Sequence, residues 1–425
     1  MASHRDETRA APWGRLWLLY LLVSAGLQLA DGVAQALLLK RGGLRLLPPV
    51  FAAKGALGML LSAGYVPLAA ALGPRATLTV ILTVSAAALG GSYALVHAGV
   101  SLAYPALYAL VEGAQTVFKI HFGVVLLACL PGHQGLSRVP LVYSGARAGA
   151  LLGGVALVLA EQLGTAPLLL GSVGALLIAA AVVATVPIST ETGASAEGSD
   201  QVSTEAPSWR WLGRGWRDTL SSPLLRAIAV ATTLLVIARH GLRYLYSATL
   251  AASFDEARLA ASFGVFVAAA SVITGLLQAM VTPRLLAGVG LGVVNLAYAI
   301  TVPATFALGW MLSPLAAAGA ARLVESELKM AIKTPVSNLL YGGLAAVQRP
   351  AARALVLGVV VPLATGLVSG MLALLPKTTR SWGLAAGVLL VVATLAQNRS
   401  YRRALGEDGE VRPGAETALT PGADS

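Results

Sequence analysis

The chain contains one cysteine, Cys129, so an intramolecular disulfide is excluded. Charge is scarce: Asp, Glu, Lys and Arg make up 12% of the 425 residues, against roughly 25% in a soluble domain. No Gly-rich phosphate loop closing on Lys-Ser or Lys-Thr is present, which removes the usual device for ATP hydrolysis. His and Cys do not recur at metal-ligand spacing, and no nucleophile stands with a matching base. The chain is therefore expected to be no enzyme and to carry no cofactor and no metal.

Apolar surface fills the place of charge. Hydrophobic residues make up 56% of the chain and mean hydropathy is +0.76, well above soluble usage, so lipid is the solvent for most of it. In a bilayer core only helices and closed barrels satisfy their own backbone, and runs of about 20 apolar residues match the helical length that crosses it. The fold class expected is all-α: a polytopic membrane protein of about twelve transmembrane helices. Six spans are placed near residues 16–39, 48–72, 77–97, 103–130, 139–160 and 164–187, and six more near 223–250, 259–282, 287–311, 314–341, 354–375 and 381–397. The first follows Arg5, Arg9 and Arg15 like a signal peptide but lacks a small-residue cleavage site, and reads as an uncleaved span.

Four regions follow: an N-terminal half over 1–188, a linker over 189–222, a C-terminal half over 223–397 and a disordered tail over 398–425. The linker begins rich in Ser, Thr and Glu and ends with Trp209, Trp211 and Trp216 among Arg210, Arg214 and Arg217. That ending has the anchor chemistry of a membrane surface rather than of nucleic acid, and no nucleic-acid partner is expected. Basic residues gather in the tails and in alternate loops, which places both termini in the cytoplasm, with a bacterial inner membrane as the expected location. Two similar six-helix halves joined by a linker form the plan of major facilitator transporters.

The informative charges are those inside the spans: Asp31, Lys54, Glu112, Lys119, His121, Arg147, Arg239, His240, Arg243, and the group in "ARLVESELKMAIKTPVSNLLYGG". An isolated Arg, Lys or Asp at a helix centre costs roughly 2.5–3.5 kcal/mol on the insertion scale, so these groups are expected to face a wet cavity or one another. Steps of three, four and four put Arg322, Glu325, Lys329 and Lys333 on one α-helical stripe, with Glu327 off it. Glu112, Thr116 and Lys119 share a face of span four, and Arg239, Arg243 and Tyr246 a face of span seven. Asp31 and Lys54 are opposite charges on adjacent spans and could pair. Lys333 could instead reach the membrane surface, and a lone His in a span reads first as a helix-to-helix hydrogen bonder. Interior cations outnumber interior carboxylates by eight to four, which internal pairing cannot neutralise, so an anionic substrate is the simplest source of the missing charge.

Four segments carry a resemblance: "IKTPVSNLLYGGLAAVQRPAARALVLGVVVPLATG", "LADGVAQALLLKRGGLRLLPPVFAAKG", "YALVEGAQTVFKIHFG" and "VYSGARAGALLGGVALVLAEQLGTAPLLL". Together they resemble the ATP/ADP translocases of plastids and intracellular bacteria and their bacterial relatives within the major facilitator superfamily. The resemblance implies that Asp31 and Glu112 match acidic positions in spans one and four, Pro335 and Tyr341 a span-ten signature, and Arg353 a basic loop position. The chain departs from the pattern at Ala30, Ser337, Asn338 and Leu357, where that group has charged residues. The lost lysines are those the resemblance would have hold nucleotide phosphates, so it implies the fold more strongly than nucleotide exchange.

The reading is then a secondary transporter of a small organic anion, with a nucleotide or another phosphorylated metabolite as candidates. Lys54, Lys119, Arg239, Arg243, Arg322 and Lys329 are the expected anion contacts, and Asp31, Glu112 and Glu325 the coupling or gating groups. The lipid bilayer and a small anionic substrate are the expected partners, and a monomer the expected state. The alternative is a membrane protein with a carrier fold that transports nothing and serves as an assembly partner, sensor or lipid-handling component.

Overall fold

The structure is a computed structural model describing residues 12–129, 132–186, 222–344 and 348–406. The Trp- and Arg-rich linker cluster and the end of the expected tail lie outside the described residues. Among those described there are helices and connecting turns, and no strand. They form twelve helical passes: α1 (Pro12–Leu37), α2 (47–72), α3 (74–97), α4 (Ala103–Cys129), α5 (Gly132–Val158), α6 (Leu168–Thr185), α7 (Pro223–Ser253), α8 (256–289), α9 (291–308), α10 (314–340), α11 (348–374) and α12 (Thr379–Leu405). Eleven are long and apolar enough to cross a membrane. The exception, α10, is helical throughout but carries Arg322, Glu325, Glu327, Lys329 and Lys333. The chain is a multi-pass helical membrane protein.

Local chemistry sets the helix ends. Pro223 opens α7 behind Ser222, whose hydroxyl accepts from the Leu225 amide at 3.3 Å, and Asp255 caps α8 by accepting from the Arg258 amide at 2.8 Å. Gly73, at φ 73°, separates α2 from α3, and Gly290, at φ 79°, separates α8 from α9. A side chain is disfavoured in that left-handed region, so glycine makes single-residue turns possible at the same point of each set of six. The turn expected at 283–286 therefore falls at Gly290, and the loop expected between spans two and three is absent. The tail expected from 398 also begins later. Helix α12 continues through Arg399, Arg402 and Arg403 to Leu405 before Gly406 turns it, because cations in the last turn suit the helix's negative end.

Helix α5 lies against α1 along Gly145, Gly149 and Gly153, where a Cβ would run into the main-chain oxygens of Trp17, Leu21 and Ala25. Small residues at every fourth position let two backbones approach where lipid supplies no hydrophobic drive. The next glycine, Gly154, turns to α8 and meets Gly264 across main chain. Packing of α5 on α8 and of α2 on α11 joins α1–α6 to α7–α12. We call the face on which α1 begins and α12 ends proximal, and the other distal. At the distal face Lys40 donates to the Ala251 carbonyl at 2.6 Å, and Arg41 grips Glu256 with two bonds of 2.7 and 2.9 Å.

Candidate functional site

Halfway along the bundle, α2, α4, α7 and α10 bring their charges together. Glu112 of α4 accepts from Lys54 of α2 and, at 3.3 Å, from Arg243 of α7. Glu325 of α10 accepts from Arg239 of α7 at 2.6 Å and stands 3.4 Å from Arg322 one turn back on its own helix. The Arg239 Nε also donates to the Glu325 main-chain carbonyl at 2.9 Å. Two carboxylates thus serve four cations, and all six side chains are 26% exposed or less. Aromatic faces finish the enclosure. The Arg243 guanidinium lies 5.8 Å from the Phe51 ring centre and 5.6 Å from that of Tyr108, while Arg322 lies 5.4 Å from the Tyr246 ring and donates to its hydroxyl at 3.1 Å.

Asp31 of α1 is buried close enough to Glu112, Arg243, Arg322 and Lys54 to feel their charge. It does not pair with Lys54, as its sequence neighbourhood suggested. Gln35, one turn along α1, donates to one carboxylate oxygen at 2.6 Å, and the other oxygen is buried without a hydrogen-bond partner among the described residues. Lys54 reaches Glu112 instead because α2 packs on α4 along this stretch.

Lys329 and Lys119 complete the group. The Lys329 side chain makes no hydrogen bond or ion pair among the described residues, yet it lies within electrostatic reach of Arg239, Glu325, Lys119 and Lys54. Lys119 is exposed and bonds only the neutral Gln115 side chain, at 3.3 Å, among the described residues. The nine residues singled out in the sequence therefore meet in one cluster. It holds six cations (Lys54, Lys119, Arg239, Arg243, Arg322 and Lys329) and three carboxylates (Asp31, Glu112 and Glu325). Fixed positive charge gathered at mid-depth in an apolar bundle attracts an anion far more strongly than the same charge in water.

Lys333 is the exception to the expected stripe. It is buried, and its amine donates at 2.7 Å to the Asn295 side chain of α9, which in turn donates to Gln397 and Asn398 of α12. It therefore neither joins the cluster nor reaches the membrane surface. Over the same stretch Leu323–Lys333 is wound as a π-helix, and the Thr334 amide donates to the Lys329 carbonyl five residues back. Lys333 lies one turn beyond Lys329 on this segment, where its amine meets Asn295 of α9 rather than the cluster's carboxylates. Glu327 is buried and accepts from Thr274 of α8 at 2.6 Å, within electrostatic reach of Arg322 but bonded to none of the cluster's cations among the described residues.

The two histidines differ. His121 links helices: its Nε2–H donates to the Pro74 carbonyl at 2.7 Å, which leaves Nδ1 to accept from the Tyr65 hydroxyl at 2.8 Å. Pro74 follows the Gly73 turn, so His121 braces the α2–α3 break from α4. His240 bonds its own helix, at the Val236 carbonyl, and meets the Phe51 ring edge-on. Among the described residues no three His, Cys, Asp or Glu side chains gather as metal ligands. Sequence reasoning missed Gln35, Phe51 and Tyr108 as cluster members. Each sits one helical turn from a charge already chosen, which is the signal that would have found them.

Comparison with solved structures places the fold. The chain superposes on the nucleoside transporter NupG with a TM-score of 0.65 at 11% identity, covering 93% of this chain and 99% of that one. It superposes on a D-xylose-proton symporter at 0.63 and 14%, covering 90% and 96%. It superposes on FucP, a major facilitator superfamily transporter in its outward conformation, at 0.57 and 15%, covering 93% and 99%. The fold is that of the major facilitator transporters. No protein-family model matches the chain, and no curated protein does.

Proposed function

We propose that the chain is a secondary carrier that moves a small organic anion across a bacterial inner membrane by alternating access of α1–α6 and α7–α12, with both termini cytoplasmic and the protein acting as a monomer. One observation carries this reading: among the described residues the Lys329 amine has no hydrogen-bond or ion-pair partner and lies among Arg239, Lys119 and Lys54, while both nearby ion-paired carboxylates already serve two cations each. An anion bound there would supply the missing counter-charge and would touch both sets of six helices, so its binding energy would be felt by the motion between them. The distal ties at Lys40 and Arg41 suit a carrier closed on that side. Nucleotides and other phosphorylated metabolites are the first candidates, on the resemblance to ATP/ADP translocases; the departures at Ser337 and Asn338 argue for a substrate other than the ATP/ADP pair.

The test is uptake by proteoliposomes offered labelled nucleotides, sugar phosphates and carboxylates. Saturable uptake of an anion that is abolished by Arg322→Ala with Lys329→Ala is the expected result. Uptake unaffected by that pair sinks the site assignment, and no uptake of any anion by folded protein favours a carrier fold that does not transport. That second reading has its own support: the four ion-paired cations of the cluster are locked internally, as in a bundle that no longer moves.

A further inference from the structure

Away from the charged cluster, α7, α11 and α12 enclose a groove of about 720 Å³, within the range of sites that take small molecules. Its walls are aliphatic: Val230 and Leu234 from α7, Leu363 and Leu367 from α11, Val392 and Ala396 from α12. Its lone hydroxyl, on Thr233, is satisfied by the Ala229 carbonyl at 2.9 Å, so nothing polar inside asks for a partner. Val230, Leu363, Leu367 and Val392 are each more than half exposed and lie in spans apolar enough to cross the membrane. The groove therefore opens to lipid rather than to the charged interior.

Its proximal end is different. One helical turn below Ala229 on α7 stands Arg226, and one turn beyond Ala396 on the antiparallel α12 stands Arg399. Both are exposed, and among the described residues neither side chain has a hydrogen bond or ion pair. From Leu389 to Ala396 the groove runs about 10 Å along α12, and Arg399 lies about 5 Å further. Together these distances match the roughly 15 Å depth of one leaflet's hydrocarbon. We infer that this groove is a binding site for an anionic phospholipid, with an acyl chain between α7, α11 and α12 and the phosphate headgroup held by Arg226 and Arg399. The charge complementarity favours this occupant over a second copy of the chain, whose equivalent face is equally basic. Basic pockets between transmembrane helices at one membrane surface recognise anionic headgroups by the same chemistry.

The test uses the full chain reconstituted in nanodiscs of phosphatidylcholine alone or with equal phosphatidylglycerol, followed by native mass spectrometry of retained lipid. The expected result is at least fivefold preferential retention of phosphatidylglycerol. Arg226→Gln with Arg399→Gln removes the preference while leaving total retained lipid unchanged, and Val392→Trp, which fills the groove, lowers retention of both lipids. Equal retention of the two lipids by the unaltered protein overturns the proposal, as does a preference that survives the double substitution. Glycerol phosphate competing as well as phosphatidylglycerol would show a headgroup site without the acyl groove, and a dimer dissolved by Val392→Trp would show a second copy there. Either outcome also overturns it. These readouts are independent of transport, so they stand or fall apart from the proposed anion carrier.

Discussion

Replacing Glu325 by Gln keeps the side chain's size and removes one charge from the most buried acid of the cluster. Glu325 is 4% exposed and serves Arg239 at 2.6 Å and Arg322 at 3.4 Å, so both guanidinium groups lose their carboxylate together. Removing one member of a buried ion pair costs about 3–5 kcal/mol, because the orphaned charge stays in a low-dielectric site. Here the lower end applies. Arg239 keeps its bond to the residue 325 carbonyl and Arg322 keeps the Tyr246 hydroxyl, so each arginine retains one acceptor. We expect Glu325→Gln to lower unfolding free energy by about 3 kcal/mol. Adding Arg239→Gln returns the cluster's net charge to that of the parent, and the double variant should recover at least about 1.5 kcal/mol of that loss, within the coupling seen for contacting pairs. The assay is reversible unfolding in mixed micelles, followed by loss of helical ellipticity, for the parent, both single variants and the double. A loss under about 1 kcal/mol for Glu325→Gln, or strictly additive losses in the double variant, would refute the claim that this carboxylate is the shared counter-ion.

Lys329→Ala should behave oppositely: having no ion-pair partner among the described residues and lying near Arg239, Lys119 and Lys54, it should change stability by less than about 1 kcal/mol while abolishing anion uptake, read from thermal unfolding and proteoliposome flux on the same preparations. Arg41→Gln breaks the distal grip on Glu256, whose partners are 41% and 25% exposed, so the stability cost should stay below about 1 kcal/mol. Spin labels placed across the α1–α7 distal ends should nonetheless show longer separations than in the parent; unchanged distances would refute a gating role. Gly149→Leu drives a side chain into the Leu21 carbonyl of α1, and overpacking of about 1–3 kcal/mol or more should appear as reduced yield of folded protein.

The twelve helices were legible because a bilayer leaves a chain few choices: an apolar run of about 20 residues has to close its own backbone bonds. Even α10, too charged for a hydropathy window, was readable because its charges recur at near-helical spacing. Helix ends were less legible. A loop was expected after residue 72, but Gly73 with Pro74 turns the chain in place, a consequence of one residue's tolerance for positive φ. The expected tail at 398 failed because hydropathy ends where lipid ends, whereas "NRSYRRAL" continues the helix into the polar layer.

The site was legible as a set, but of its pairs only Arg322–Glu325, one turn apart on α10, is of the kind that spacing along one helix supplies. Asp31, Glu112, Glu325 and the six cations were found because buried charge is costly and so has to be gathered somewhere. Which acid meets which base otherwise depends on how α2 lies on α4 and α7 on α10, which spacing along one helix cannot supply. The sharper failure is Lys333. Its spacing from Arg322, eleven residues, is a near-perfect three turns of α-helix, but Leu323–Lys333 winds wider and the Lys333 amine ends on Asn295 of α9. A π-helical segment is disfavoured locally and persists where packing holds it. Here the hold is visible at one end in the buried Lys333–Asn295 bond and at the other in Glu325 between Arg239 and Arg322. The backbone carrying Lys329 is thus fixed at both ends and wound against its preference between them, so the lysine whose amine has no partner among the described residues sits on the segment of α10 with most to gain from rewinding.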